Sequence, residues 1–234
     1  MDNIKIILLK ELRSLFNSAI AYVIMVVFIL LAGYFFTNTL FLQNVASLRG
    51  IFELIPFLLL FFAPAITMRT ISEERKTGTI ELLLTKPVRD GEIIVGKFLA
   101  AWLFFGIALL PTLAFLVTVM FLGRVDAGPV IGGYLGLLLV GGSLLALGIV
   151  GSTLTENQVV AFILSFLIMF IFFMFDKVVI FLPGPLASIV EYLGIDYHFS
   201  NIARGVVDSR DLIYYASLIG FSLLVGTVLL ERRK

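Results

Sequence analysis

Six stretches of this chain run for roughly 20 residues with almost no charge. An apolar helix of about 20 residues crosses a bilayer core of about 30 Å. The windows are Ala19–Phe36, Ile51–Met68, Phe98–Leu122, Val130–Leu154, Val159–Phe175 and Leu212–Leu230. They are continuously apolar and do not alternate as barrel strands do, so they predict helices. Composition agrees. Of the 234 residues 60% are hydrophobic and 14% charged, where soluble domains carry about 25% charged residues. The expected fold is an all-α integral membrane protein, one transmembrane domain over residues 1–234 with six spanning helices. The first apolar run follows a mixed-charge segment and precedes no small-residue cleavage site, so it reads as a retained span and not as a signal peptide. A net charge of +1 gives no basic field for nucleic acid. The absence of cysteine removes disulfides, thiolate metal sites and a cysteine nucleophile.

Six spans put both termini on one side. That side collects 12 of the 17 lysines and arginines, and positive residues concentrate in cytoplasmic loops. Both termini are therefore expected in the cytoplasm of a multi-pass protein of a bacterial inner membrane. Trp102 is expected near the inner interface, at the start of the third span.

Two segments outside the spans are too apolar to be free loops. Residues 1–17 carry Ile4, Leu8, Leu12 and Leu15 at helical spacing, with Lys5, Lys10, Glu11 and Arg13 mostly elsewhere on the wheel. This predicts an amphipathic helix lying in the inner interface; a solvated N-terminal helix is the alternative. Residues 176–210 are broken by Pro183-Gly184-Pro185 and predict one or two short re-entrant helices on the outer side between spans five and six.

One short stretch raises a competing chemistry. Gly91-Glu-Ile-Ile-Val-Gly-Lys97 fits seven positions of the phosphate-cradling motif G-x-x-x-x-G-K-[ST]. Phe98 stands where a magnesium-holding hydroxyl is needed. Ile93, Ile94 and Val95 are stiff at χ1 and favour regular structure over a flexible loop. The match carries no nucleotide site, and Lys97 is left without an assigned role.

The segment around it is more informative. Residues 69–97 form the longest inside loop and hold half of the inside positive charge. Glu73, Glu74, Arg75 and Lys76 make a mixed-charge cluster. Thr77-Gly78-Thr79 is a turn, and Thr79 is placed to cap a short helix with Glu81 and Leu82 in its first turn. Leu82, Leu83 and Leu84 put three apolar side chains on a helix too short to have its own core, which suggests a docking surface. A solvated loop that only fixes topology is the alternative.

Other residues keep two readings each. Glu53, near the outer start of span two, is either an interface residue or part of a substrate path or gate. The glycines of span four could line a seam between subunits or pack within one. Asn157 either caps the fifth span or contacts a partner. His198 is the only histidine and cannot build a metal site alone. Arg204, Asp208, Arg210 and Asp211 are expected to close on one another as salt bridges. No catalytic pair, cofactor motif or metal-ligand set is visible.

Three stretches carry a family resemblance. "EERKTGTIELLLTKPV" followed by "GEIIVGKF" looks like the first cytoplasmic loop of type-2 ABC exporter permeases. "GIVGSTLTENQVVAF" is similar to the family's motif at the end of the fourth span. "HFSNIARGVVDSRDLIYY" resembles the gliding-motility-associated and copper-enzyme-maturation permeases. The resemblance implies a permease subunit of an ATP-driven transporter that is not itself an enzyme and has no cofactor of its own. It implies a second permease subunit, a cytosolic ABC ATPase dimer and a possible membrane or periplasmic accessory subunit. Glu73, Glu74, Arg75, Gly78, Thr79, Glu81, Leu82, Leu83 and Asn157 would form the coupling helix and its surroundings. The alternatives are a stand-alone secondary transporter using Glu53 and a motility or structural membrane component.

Overall fold

The computed structural model describes residues 2–80, 88–123 and 125–232. Among these, α1 (Asp2–Phe16), α2 (Ala19–Leu42), α3 (Arg49–Thr67), α4 (Ser72–Lys76) and α5 (Asp90–Leu109) come first. A 3-10 turn, Leu110–Thr112, joins α5 to α6 (Leu113–Leu122). Then follow α7 (Ala127–Thr153), α8 (Gln158–Val178), a 3-10 turn at Val179–Phe181, α9 (Gly184–Leu193), α10 (Ile195–Ala203) and α11 (Ser209–Glu231). No strand occurs among the described residues. Six helical units are long and apolar enough to cross a membrane, and they overlap the six sequence windows. The chain is a multi-pass membrane protein.

The third span differs most from its window. Its helix begins at Asp90, not Phe98, because the Glu92 carboxylate turns back to accept the Arg89 amide at 3.0 Å and closes the first turn. Pro111 then lacks the N–H that would continue the helix, and the backbone tightens into the 3-10 turn. Pro56 and Pro64 stay inside an unbroken α3.

Helix α7 is the hub, touching α3, α5, α8, α10 and α11. Its most apolar window is 83% buried, against 17% for the α8 span. The sequence explains this. A side chain at Gly133 would strike the Phe52 ring, at Gly141 the Phe105 ring, and at Gly151 the Ser165 backbone. Small residues let backbones approach where lipid supplies no hydrophobic drive between helices. These glycines therefore pack within one subunit. Trp102 belongs to the same contact. Its indole N–H donates to the Leu138 carbonyl at 2.8 Å, and so it bonds α5 to the middle of α7.

Asp126, Asn157 and Asp208 accept backbone amides at the starts of α7, α8 and α11. On the side opposite the termini, α9 and α10 fill residues 184–203. Asp176 accepts the Asp196 amide at 3.0 Å and the Tyr197 amide at 3.2 Å, which caps α10 from the end of α8. His198 and Asp211 are buried, with Nδ1 and Oδ1 2.6 Å apart, and His198 Nε2 lies 2.9 Å from the Tyr192 carbonyl. Both ring nitrogens thus lie within hydrogen-bond distance of an oxygen. Tyr214 stacks on the imidazole, with ring centroids 4.0 Å apart.

The expected four-residue salt-bridge cluster is not formed. Asp211 pairs with His198, Asp208 spends its carboxylate on the α11 cap, and no ion pair joins either to Arg204 or Arg210 among the described residues. Asp208 caps a helix and one oxygen of Asp211 faces a buried histidine, while both arginines stay exposed.

Candidate functional site

The segment after α3 is fixed to the bundle before it leaves it. The Ser152 hydroxyl of α7 accepts the amides of Ile71 (3.1 Å) and Ser72 (3.2 Å), both orphaned at the start of α4, and donates to the Met68 carbonyl. Arg75 donates to the Thr153 carbonyl at 2.9 Å. Two of the stretches singled out in the sequence therefore dock on each other. Gly78 has φ +69°, a left-handed position that ends α4 at no steric cost. Beyond it Thr79 and Ile80 are helical. The Thr79 hydroxyl points back to the Glu74 carbonyl at 3.3 Å and to the Thr77 hydroxyl at 2.9 Å. Glu81, Leu82 and Leu83 lie outside the described residues.

Lys97 stands at the centre. It is 1% exposed. Its ammonium donates to the Thr70 carbonyl at 2.7 Å and to Glu11 Oε1 at 3.1 Å, and lies 2.9 Å from Glu74 Oε2. Lys10 closes the ring, 3.4 Å from Glu11 and 3.3 Å from Glu74. Two cations and two carboxylates from α1, α4 and α5 thus neutralise one another. Burial opposes the Lys10 charge, but Glu11 and Glu74 outweigh it and hold its amine above the ordinary lysine value.

The seven residues that mimic a phosphate loop are one helical run inside α5. The fold gives Gly96 and Lys97 another task. A side chain at Gly96 would collide with Ile7 of α1. Asn3, Ile7 and Glu11, spaced one helical turn apart on one face of α1, meet Glu92, Gly96 and Lys97 in that order. The glycine admits α1 and the lysine grips it. A regular helix whose lysine is already held by Glu11 and Thr70 is not the flexible loop that a phosphate cradle needs.

A cavity of about 340 Å³ opens beside the network, lined by Glu73, Glu74, Arg69, Thr79 and Lys97 among others. The structure gathers Glu73, Glu74, Arg75, Gly78 and Thr79 in one place. Glu74 directs its carboxylate inward to Lys10 and Lys97. Asn157 lies apart, in the turn between α7 and α8, where its side chain accepts the Val159 amide at 2.9 Å. Glu53 is at the opposite end, paired with Arg49 at 3.3 Å and two-thirds exposed. Sequence reading missed Glu11, Ser152 and Thr153 as partners. The i, i+4 alignment of Glu11 with Ile7 and Asn3 was the available signal for the first.

The family can now be assigned. Residues 39–230 match the model of a family described as ABC-2 family transporter protein. The chain belongs to that family. Among curated proteins no sequence matches significantly. An ABC-2 chain is a membrane component of an ABC transporter, a transport subunit that is not itself catalytic, and the family implies partnership with an ABC ATPase.

Proposed function

We propose that this chain is the permease subunit of an ATP-driven exporter or extractor. It forms the translocation path with a second permease subunit in a bacterial inner membrane. A separate cytosolic ATPase dimer docks on the side that carries both termini. The enclosed Lys97 carries this reading. A displacement of the segment from Glu73 to Leu83 passes through Glu74 to Lys97, and from there to α1 through Glu11 and to α5 through the lysine's own backbone. The Arg75 and Ser152 bonds carry it to the α7 hub. Such a linkage suits a loop that must transmit force, and a loop that only fixed topology would not need it. In this reading Leu82 and Leu83 are the apolar knobs that meet the ATPase, Glu81 is beside them, and Glu74 belongs to the internal linkage. Asn157, which caps α8 on the side of the termini, is a further candidate contact for the ATPase. The narrower likeness to gliding-motility-associated and copper-enzyme-maturation permeases rests on the stretch from His198 to Tyr215.

The test is co-purification in mild detergent. The chain alone should not hydrolyse ATP, and an ABC ATPase should co-purify with it. Burying a leucine contributes roughly 1.5–3 kcal/mol, and a carboxylate in its place would also be desolvated. Leu83→Asp should therefore release the ATPase while the membrane fold survives. If well-folded Leu83→Asp retains the ATPase and its transport-linked activity, the docking role is wrong.

A further inference from the structure

On the side opposite the termini, Arg204, like Arg210, has no counter-ion among the described residues. It is exposed at the end of α10 and makes no ion pair or side-chain hydrogen bond with any described residue. Its neighbours are all engaged. Arg49 pairs with Glu53 at 3.3 Å, Lys177 pairs with Asp196 at 2.9 Å, and Asp126 accepts the Gly128 amide at 3.2 Å. Arg204 also occupies a particular place, because it lines two adjoining cavities of about 340 and 300 Å³. The first holds Arg49, Arg204 and Asp126; the second holds Arg49, Lys177, Arg204, Glu53 and Asp196. Among the described residues each has one more positive than negative charge, and the cation without an ion pair in both is Arg204.

The larger cavity is also apolar. Leu48, Phe52, Val119, Val125 and Val130 line it. Val119 is the buried residue of α6, whose next three side chains, Met120, Phe121 and Leu122, face outward at 57%, 87% and 59% exposure. The cavity therefore abuts the lipid-facing surface near the end of a span. Its volume lies at the lower end of ligand pockets, about 300–1,000 Å³. An exposed guanidinium offers a fork of donors that matches phosphate or carboxylate oxygens in pairs.

We propose that Arg204 heads a binding site for one acidic amphiphile, with its anionic headgroup on the guanidinium and its chain in the apolar cavity beside α6. The occupant enters sideways from the bilayer. The site rests on the placement of this end at the membrane boundary and is independent of how the ATPase docks.

The protein in a non-ionic detergent is titrated with dioctanoyl phosphatidylglycerol, and bound lipid is counted by native mass spectrometry. One molecule should bind above background. Arg204→Gln should weaken it by about 10-fold or more, the scale of a charge-assisted contact. Ala46→Trp, at an exposed residue of the cavity wall, should block binding without touching the charge. Arg210→Gln, an equally exposed arginine on the same side, should bind like the parent. Dioctanoyl phosphatidylcholine and inorganic phosphate should each bind at least 10-fold more weakly than the acidic lipid. Equal losses in the Arg204 and Arg210 variants would reduce the effect to surface charge and overturn the site. Phosphate binding as tightly as lipid would overturn the amphiphile. Unchanged binding to either Arg204→Gln or Ala46→Trp would overturn the cavity itself.

Discussion

Two ion pairs, one at each end of this bundle, differ in what they join. On the terminal side, Lys97 is enclosed and its partners come from helices 86 and 23 positions away in sequence (Glu11 and Glu74). On the opposite side, Arg49 and Glu53 are four residues apart on one helix, and both are about two-thirds exposed. The chemistry is the same. The first pair cross-links elements and cannot lose one member without leaving a buried charge; the second decorates a single helix that stands without it. In a chain with so few charges, the enclosed ones report where separate elements must stay registered.

Breaking the enclosed network gives the largest expected effect. Lys97→Ala leaves Glu11 and Glu74 facing each other with only the more exposed Lys10 between them. Removing one partner of a buried pair costs about 3–5 kcal/mol. A lower melting temperature in detergent and faster proteolysis within α1 should both appear. Adding Glu11→Gln and Glu74→Gln to that variant should recover part of the loss, since the uncompensated charges are then gone. Equal stability of Lys97→Ala and the parent would remove the contrast between the two ends.

The His198–Asp211 pair tests whether burial or location sets the magnitude. It lies on the opposite side, yet both members are enclosed. Asp211→Ala leaves a ring nitrogen without its partner, at a cost of about 1–3 kcal/mol, and should loosen α10 from α11. A melting shift as small as that of an exposed pair would mean that burial alone does not set the magnitude.

Lys10 gives a smaller, pH-dependent effect. Its folded-state value is raised, so its contribution is full below the ordinary lysine value of about 10.4 and fades as pH climbs through the raised one. The side chain is 55% exposed, and solvent screens the gain. Lys10→Ala should lower stability slightly at neutral pH, and the difference from the parent should shrink in strongly alkaline buffer. A difference that grows with pH would reverse the assigned sign.

Much of this was legible from sequence because apolar run length alone determines a spanning helix. The six spans follow from run length and the helix of α1 from its periodicity, but the contacts α1 makes are set by α5, which takes Asn3, Ile7 and the charged Glu11. Helix ends were harder. Asp90 starts α5 eight residues ahead of the apolar window because Glu92 closes the turn and α1 covers it, and neither raises hydropathy. Trp102 reads as an interface anchor by composition, and the bond of its N–H to a carbonyl on α7 is encoded in no local pattern. The role of Lys97 was invisible for the same reason. A lysine before an apolar run looks like a topology signal or a broken nucleotide motif until Glu11 and Glu74 are brought to it. The Ser152 cap is equally long-range, since the serine lies some 80 positions from the amides it satisfies. Distant pairings are what a single sequence hides, and the candidate site consists almost entirely of them.

The exposed pair gives the smallest structural effect and so the cleanest functional test. Arg49–Glu53 spans one helical turn, and pairs of that kind contribute about 0.3–0.5 kcal/mol. Glu53→Gln should therefore leave the melting temperature nearly unchanged, and the small difference should shrink further at high salt, which screens exposed charges. Glu53 also lines the smaller of the two cavities beside Arg204, and its loss frees Arg49 to act as a second unpaired cation there. Binding of dioctanoyl phosphatidylglycerol should tighten severalfold in Glu53→Gln, while Arg49→Gln, which leaves the Glu53 carboxylate unpaired beside the same cavity, should weaken it. A fall in stability as large as that of Lys97→Ala would show that exposure does not separate the two ends. Weaker lipid binding in Glu53→Gln would make the glutamate itself part of the site, the role its position in the second span first suggested.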